Sequence, residues 1–107
     1  MQEDNNQNQE DTPEILIVDD CLFNVAALKS LIMMFDYECD NCSDGQEALE
    51  AVKDRMERNQ PLYKLIMMDL SMPIMDGPTA TREIRKIHEV NGVTRDEQPF
   101  ICCMSAY

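Results

Sequence analysis

Three short stretches of the chain are almost unbroken apolar runs. They are Glu14–Val18 (EILIV), Lys64–Met68 (KLIMM) and Pro99–Met104 (PFICCM). Runs this short, without polar alternation, suit strands buried on both faces, as in a parallel sheet covered by helices. Tyr37–Asn41 is a weaker strand candidate. The intervals between the runs carry helical periodicity. Between Leu22 and Phe35, Leu28, Leu31, Ile32 and Phe35 recur at helical spacing and predict an inward stripe. Between Gln46 and Asn59 the stripe is Ala48, Leu49, Val52 and Met56. Ser43 with Gln46, or equally Asp44 with Glu47, has capping-box spacing at that helix's start. A third helix is predicted from about Pro78 to His88, with Ala80, Ile84 and Ile87 inward and Pro78 in its first turn. Val90–Gln98 is polar, contains Gly92 and reads as a surface loop. The order β-α-β-α-β-α-β implies an α/β fold with a parallel sheet and right-handed crossovers.

Residues 1–12 are rich in Gln, Asn, Glu and Asp without apolar periodicity, and read as a disordered acidic tail. Residues 13–107 then form one domain, since 107 residues suffice for one and are too few for two. The formal charge of -12 argues against nucleic acid, whose phosphates need basic patches, and against docking on anionic membranes. No apolar run approaches the roughly 20 residues that span a bilayer, and the polar N-terminus is no signal peptide. A cytoplasmic location is expected. Five cysteines do not make a complete disulfide framework. Cys39 and Cys42 form a C-x-x-C, but no second ligand pair completes a zinc site. They read, with Cys102 and Cys103, as small apolar residues.

The chemistry lies at the ends of the apolar runs. Asp19 and Asp20 close the first, Asp69 the second and Ser105 the third. In open α/β sheets ligands bind beyond the carboxyl ends of the strands, so all of these should converge on one edge. A single aspartate there would ordinarily cap a helix. Three carboxylates together repel, by about 3 kcal/mol per pair at ~5 Å and an effective dielectric of ~20. A divalent cation would remove that penalty, and Mg2+ suits a few carboxylates with places left for phosphate oxygens. A carboxylate so placed can attack a phosphoryl group and form an acyl phosphate. The first helix follows no G-x-G-x-x-G, which excludes a dinucleotide site of the Rossmann kind.

The segments ILIVDD (15–20), DGQEALEAV (44–52), LIMMDLSMPIMDG (65–77) and MSA (104–106) together span nearly everything after the tail. With them the chain resembles the CheY-like receiver domain of two-component response regulators, most closely the type attached to hybrid histidine kinases. The resemblance implies a flavodoxin-like, doubly wound parallel sheet. It implies phosphorylation of Asp69 from a phosphohistidine on a histidine kinase or histidine phosphotransfer protein. It implies Mg2+ held by the acidic pair Asp19 and Asp20, with Asp20, Asp69 and the backbone carbonyl of Ser71 as direct ligands. Ser105 corresponds to the hydroxyl that senses the phosphoryl group. Such a module accepts a phosphoryl group and signals; it is not an enzyme in its own right.

The resemblance also sets departures. The family pattern continues beyond the Pro99–Met104 strand with a helix, a fifth strand and a last helix, in strand order 2-1-3-4-5. The sequence stops at Tyr107. On that pattern the domain is truncated after its fourth strand and lacks its last helix-strand-helix, including the family's phosphoryl-pairing lysine and aromatic switch residue. The fourth strand becomes an apolar edge open to pairing. A marginal or aggregation-prone chain, and a longer gene product, are therefore expected. Cys21 stands where such receivers often carry Asn. Two other functions fit the acidic edge: a receiver-like interaction module that has lost phosphorylation, and a Mg2+-dependent phosphohydrolase with an aspartyl-phosphate intermediate. The hydrolase typically needs a second acid two residues after its nucleophile, where this chain has Ser71.

The remaining chemical residues read as structural. His88, the sole histidine, is expected in a solvated position near a helix end. Lys53, Arg55 and Arg58, like Arg82, Arg85 and Lys86, read as solvated helix faces. Most of the nine methionines, Met33, Met34, Met67 and Met68 among them, read as core filling and Met72 as loop packing.

Overall fold

The computed structural model describes residues 12–104. Its elements are β1 (Ile15–Val18), α1 (Leu22–Met34), β2 (Cys39–Cys42), α2 (Gly45–Glu57), β3 (Leu65–Asp69), α3 (Gly77–Val90), a 3-10 turn (Arg95–Glu97) and β4 (Phe100–Met104). The strands form one parallel sheet in the order β2-β1-β3-β4. This is the α/β, doubly wound arrangement expected, with each strand within two residues of its apolar run. The tail up to Asp11 and the stretch 105–107, with Ser105, lie outside the described residues.

The strand order explains the layers. The chain moves one way from β1 to β2 and the other way from β2 through β3 to β4. Right-handed crossovers then place α1 on one face and α2 and α3 on the other. The main core fills the second face. Leu16, Val18, Ile66 and Met68 point from the two central strands into Ala48, Leu49 and Val52 of α2 and Ala80 and Ile84 of α3. Period-2 alternation sends Ile17 to the α1 face, where it is fully buried. Both helices on the core face start on aspartates. Asp44 Oδ1 accepts from Glu47 N at 2.9 Å and Asp76 Oδ1 from Thr79 N at 2.8 Å. The Asp44–Glu47 choice is therefore the operative cap, and Glu47 in turn accepts from Ser43 N at 2.8 Å. The polar 90–98 stretch is not plain loop: it holds the 3-10 turn, where Thr94 N donates to the Glu97 carboxylate at 2.9 Å.

Five expectations need correction. The inward stripe of α1 is Val25, Leu28, Lys29 and Ile32; Leu31 and Phe35 are exposed. Met33 and Met34 are exposed on the same helix instead of filling core. Arg55 is 4 % exposed, not solvated. Its guanidinium donates to Pro13 O and Pro61 O, each at 2.8 Å, and to Asp40 Oδ2 at 3.0 Å, and lies over the Tyr63 ring. Arg85 is half-buried because it donates to Pro99 O at 2.8 Å. His88 is fully buried, since it extends the Ala80–Ile84 stripe by one more turn. Met72 packs against the core, as loop packing requires.

A carboxylate cluster at the carboxyl edge of the sheet

Parallel strands end together, and the residues after them share an edge. Asp19 follows β1 and continues the ladder, donating from its N–H to Cys42 O at 3.1 Å. Asp69 is the last residue of β3, paired in register with Met104 of β4. Carboxylate oxygens of Asp19, Asp20 and Asp69 lie within 4.8 Å of one another. The three differ in setting: Asp19 is buried, Asp69 half-buried and Asp20 exposed. Asp19 is fixed by its neighbours, Oδ1 accepting from Cys21 N at 2.9 Å and Oδ2 from Asn24 Nδ2 at 3.4 Å. Asp69 Oδ1 accepts from Ser71 N at 3.5 Å.

These surroundings act on Asp69. Partial burial, then the charge of Asp19 and more weakly that of Asp20, hold its carboxyl above the ordinary carboxylate range. The backbone donors at Ser71 and Leu70 pull the other way and lose. A site that raises the proton affinity of a carboxylate through two neighbouring anions is one that a cation would relieve. The donor set is all oxygen, which fits a hard divalent ion such as Mg2+ better than a soft metal. Ser71 is exposed and lies two residues beyond Asp69.

The loop from Leu70 to Asp76 folds back on the strand it leaves. Gly77 N donates to Leu70 O at 3.2 Å, and a β-carbon at Gly77 would overlap the carbonyl oxygen of Asp69. Glycine is required there by close approach. Gly45 N donates to Met75 O at 3.0 Å, tying the same loop to the start of α2. Pro73 and Gly77 signal this tight loop in the sequence itself; Gly45 and the Asn24 bond to Asp19 were not foreseen, and the DG pair at 44–45 was the only trace of the former. The cysteines are all free thiols. Cys42 is pushed up to about 12, mainly by burial, so it is an unreactive packing residue.

A model described as the response regulator receiver domain matches residues 15–103. The chain belongs to this family. Among curated relatives of this receiver domain, Histidine kinase 5 of Arabidopsis thaliana is 36% identical over 77 residues, covering 72% of this chain. The match spans only 8% of that kinase, so the receiver corresponds to a small part of it. The receiver domain of the Arabidopsis thaliana histidine kinase CKI1, complexed with Mg2+ and BeF3-, superposes with a TM-score of 0.72 at 35% identity. That superposition covers 89% of this chain and 66% of the other. The co-crystal of the Saccharomyces cerevisiae histidine phosphotransfer protein Ypd1 with the receiver domain of Ssk1 gives 0.67 at 29% identity, covering 87% and 63%. Among the described residues no helix is long and apolar enough to cross a membrane.

Proposed function

We propose that this receiver domain is the phosphoacceptor of a phosphorelay in the cytosol, with Asp69 as the residue that takes the phosphoryl group. The donor is a phosphohistidine on a histidine kinase or histidine phosphotransfer protein. The observation that carries the reading is the approach of the Asp19, Asp20 and Asp69 carboxylates to within 4.8 Å at one sheet edge. Asp19, Asp20, Asp69 and the Ser71 carbonyl are the residues that would hold Mg2+. When bound, the ion offsets their mutual repulsion and the charge on the transferred oxygens. Support comes from the Mg2+ and BeF3- complex of the CKI1 receiver and from the Ypd1–Ssk1 receiver complex.

The protein's own part is positioning. Asp69 offers a carboxylate oxygen as nucleophile, while the Ser71 N–H steadies the other. Asp19 is held by Cys21 N and Asn24, so its charge stays fixed beside the reacting group. In the transfer a P–O bond to Asp69 forms and the N–P bond of the donor breaks; the imidazole keeps that electron pair. Ser105 serves in this reading as the hydroxyl that contacts the phosphoryl group. The test is labelling with acetyl phosphate in Mg2+. Wild-type protein should gain one hydroxylamine-labile phosphoryl group, and Asp69→Asn or added EDTA should abolish it. Undiminished labelling of Asp69→Asn sinks the proposal; no labelling of the wild type favours an interaction module that has lost phosphorylation.

A further inference from the structure

Ile74 has a backbone conformation and a side-chain position that the fold does not use. Its φ is 72°, in the left-handed region where a β-branched residue is a genuine outlier. Met75 N donates to Pro73 O at 2.7 Å, closing a three-residue turn around it. Such turns with positive φ at the centre are rare and strained. The side chain gains no packing in exchange, being 82% exposed. Glycine would hold the same turn without the β-carbon conflict. An exposed isoleucine that is strained and unpacked does nothing for stability, and strain retained in this way points to a functional contact.

The loop's anchoring says where that contact is. Its ends are fixed by the Gly77–Leu70 bond beside Asp69 and by the Gly45–Met75 bond at the start of α2. Ile74 is therefore carried on the tip, at the rim of the carboxylate cluster. From the α1 side, Phe23 stands in the first turn after Asp20 and is also 82% exposed. A small phosphodonor needs only the carboxylates. A protein donor must also be held while the N–P bond breaks and the P–O bond to Asp69 forms. A chain of formal charge -12 attracts a basic partner at long range, but charge alone does not set the partner's register. An apolar anchor at the rim does.

We propose that Ile74 is the anchor that seats a phosphohistidine-bearing protein, and so sets this receiver's preference for a protein donor over small ones. The occupant is a protein surface presenting the phosphohistidine beside an apolar recess and basic side chains. The inference rests on the phosphoacceptor reading of Asp69. The test uses two variants, since Ile74→Ala removes the anchor but keeps the β-carbon, and Ile74→Gly removes both.

Phosphorylated Saccharomyces cerevisiae Ypd1 is the protein donor and phosphoramidate, which has the same kind of N–P bond, the small one. Both variants should take phosphoryl groups from Ypd1 about tenfold or more slowly, the scale of a lost interface anchor. Their labelling by phosphoramidate should match wild type. Only Ile74→Gly should unfold at higher temperature, by a few degrees. Unchanged transfer from Ypd1 in both variants overturns the inference, as does wild-type protein that phosphoramidate labels but Ypd1 does not. Wild-type protein that neither donor labels overturns the phosphoacceptor reading and the inference with it.

Discussion

Replacing Asp69 by Asn should make the metal-free protein more stable while abolishing its response to Mg2+. The carboxylate oxygens of Asp19, Asp20 and Asp69 lie within 4.8 Å of one another, and three charges there repel pairwise. At that separation Coulomb's law gives about 3.5 kcal/mol per pair at an effective dielectric of ~20 and about 0.9 kcal/mol at that of water. Asp20 is exposed and Asp69 only half-buried, so the lower figure is nearer for each pair that Asp69 makes. Removing its two repulsions should stabilise the apo protein by about 1–2 kcal/mol. The sign follows from the titration. Asp69's folded pKa is raised, so its ionised form at neutral pH favours unfolding, and the advantage of Asn should vanish as pH falls below the ordinary value of 3.8. Mg2+ at ten times its Kd should stabilise wild type by about 1.4 kcal/mol and leave Asp69→Asn unmoved. Urea unfolding followed by circular dichroism, in EDTA and in Mg2+, reads both effects. An apo variant less stable than wild type, or one stabilised by Mg2+ to the wild-type extent, refutes the shared-site argument.

Two further outcomes concern the scaffold. Arg55→Ala should cost about 2–3 kcal/mol in urea unfolding, because it leaves carbonyls of Pro13 and Pro61 without their partner, while Asp40 is part-exposed and keeps the Tyr63 hydroxyl. Arg58→Ala on the same helix, whose ion pair with Asp54 is exposed, should cost no more than about 0.5 kcal/mol. His88 should make stability fall in mild acid. Burial, with Arg85 nearby, lowers its folded pKa below 6.5, so the unfolded chain takes the proton first. Stability is full above that value and declines below it, by up to about 1.4 kcal/mol at one pH unit lower. His88→Leu should remove that slope between pH 7 and 5; an identical slope in the variant would show that other groups carry it.

The strands and the acidic edge were legible because each rests on a local signal. An apolar run without alternation states burial on two faces, and an aspartate at its end inherits its place from the parallel topology. The errors arose where burial is decided by distant partners. The first helix is apolar on nearly every face, so periodicity gives it no phase, and several stripes can be drawn. The sheet selects the one with Val25, Leu28 and Ile32, and admits Lys29 because its ammonium reaches Asn41 Oδ1 at 3.1 Å. Arg55 looks like a solvated helix residue until the carbonyls of Pro13 and Pro61, far apart in sequence, converge on it. His88 is apolar by position and polar by composition. Both ring nitrogens lack hydrogen-bond partners among the described residues, a cost no sequence pattern announces. The turn at Ile74 was illegible for the opposite reason, since left-handed backbone is normally signalled by glycine or asparagine.

These exceptions divide between the two ends of the sheet. At the end where the strands begin, arginines from α2 and α3 tie down all four. Arg55 holds Pro13 ahead of β1, Asp40 in β2 and Pro61 ahead of β3; Arg85 holds Pro99 ahead of β4. Tyr63 adds a hydroxyl donated to Asp40 Oδ2 at 2.6 Å. At the end where the strands finish, the arrangement opposes stability: three carboxylates crowd together and an isoleucine sits in a strained turn. Local rules broken at one edge and satisfied at the other are what a functional site on a tied-down scaffold requires. The clamped end lets the acidic end keep its repulsion and strain without unfolding, and so keeps Asp69 in a setting whose relief is coupled to what binds there.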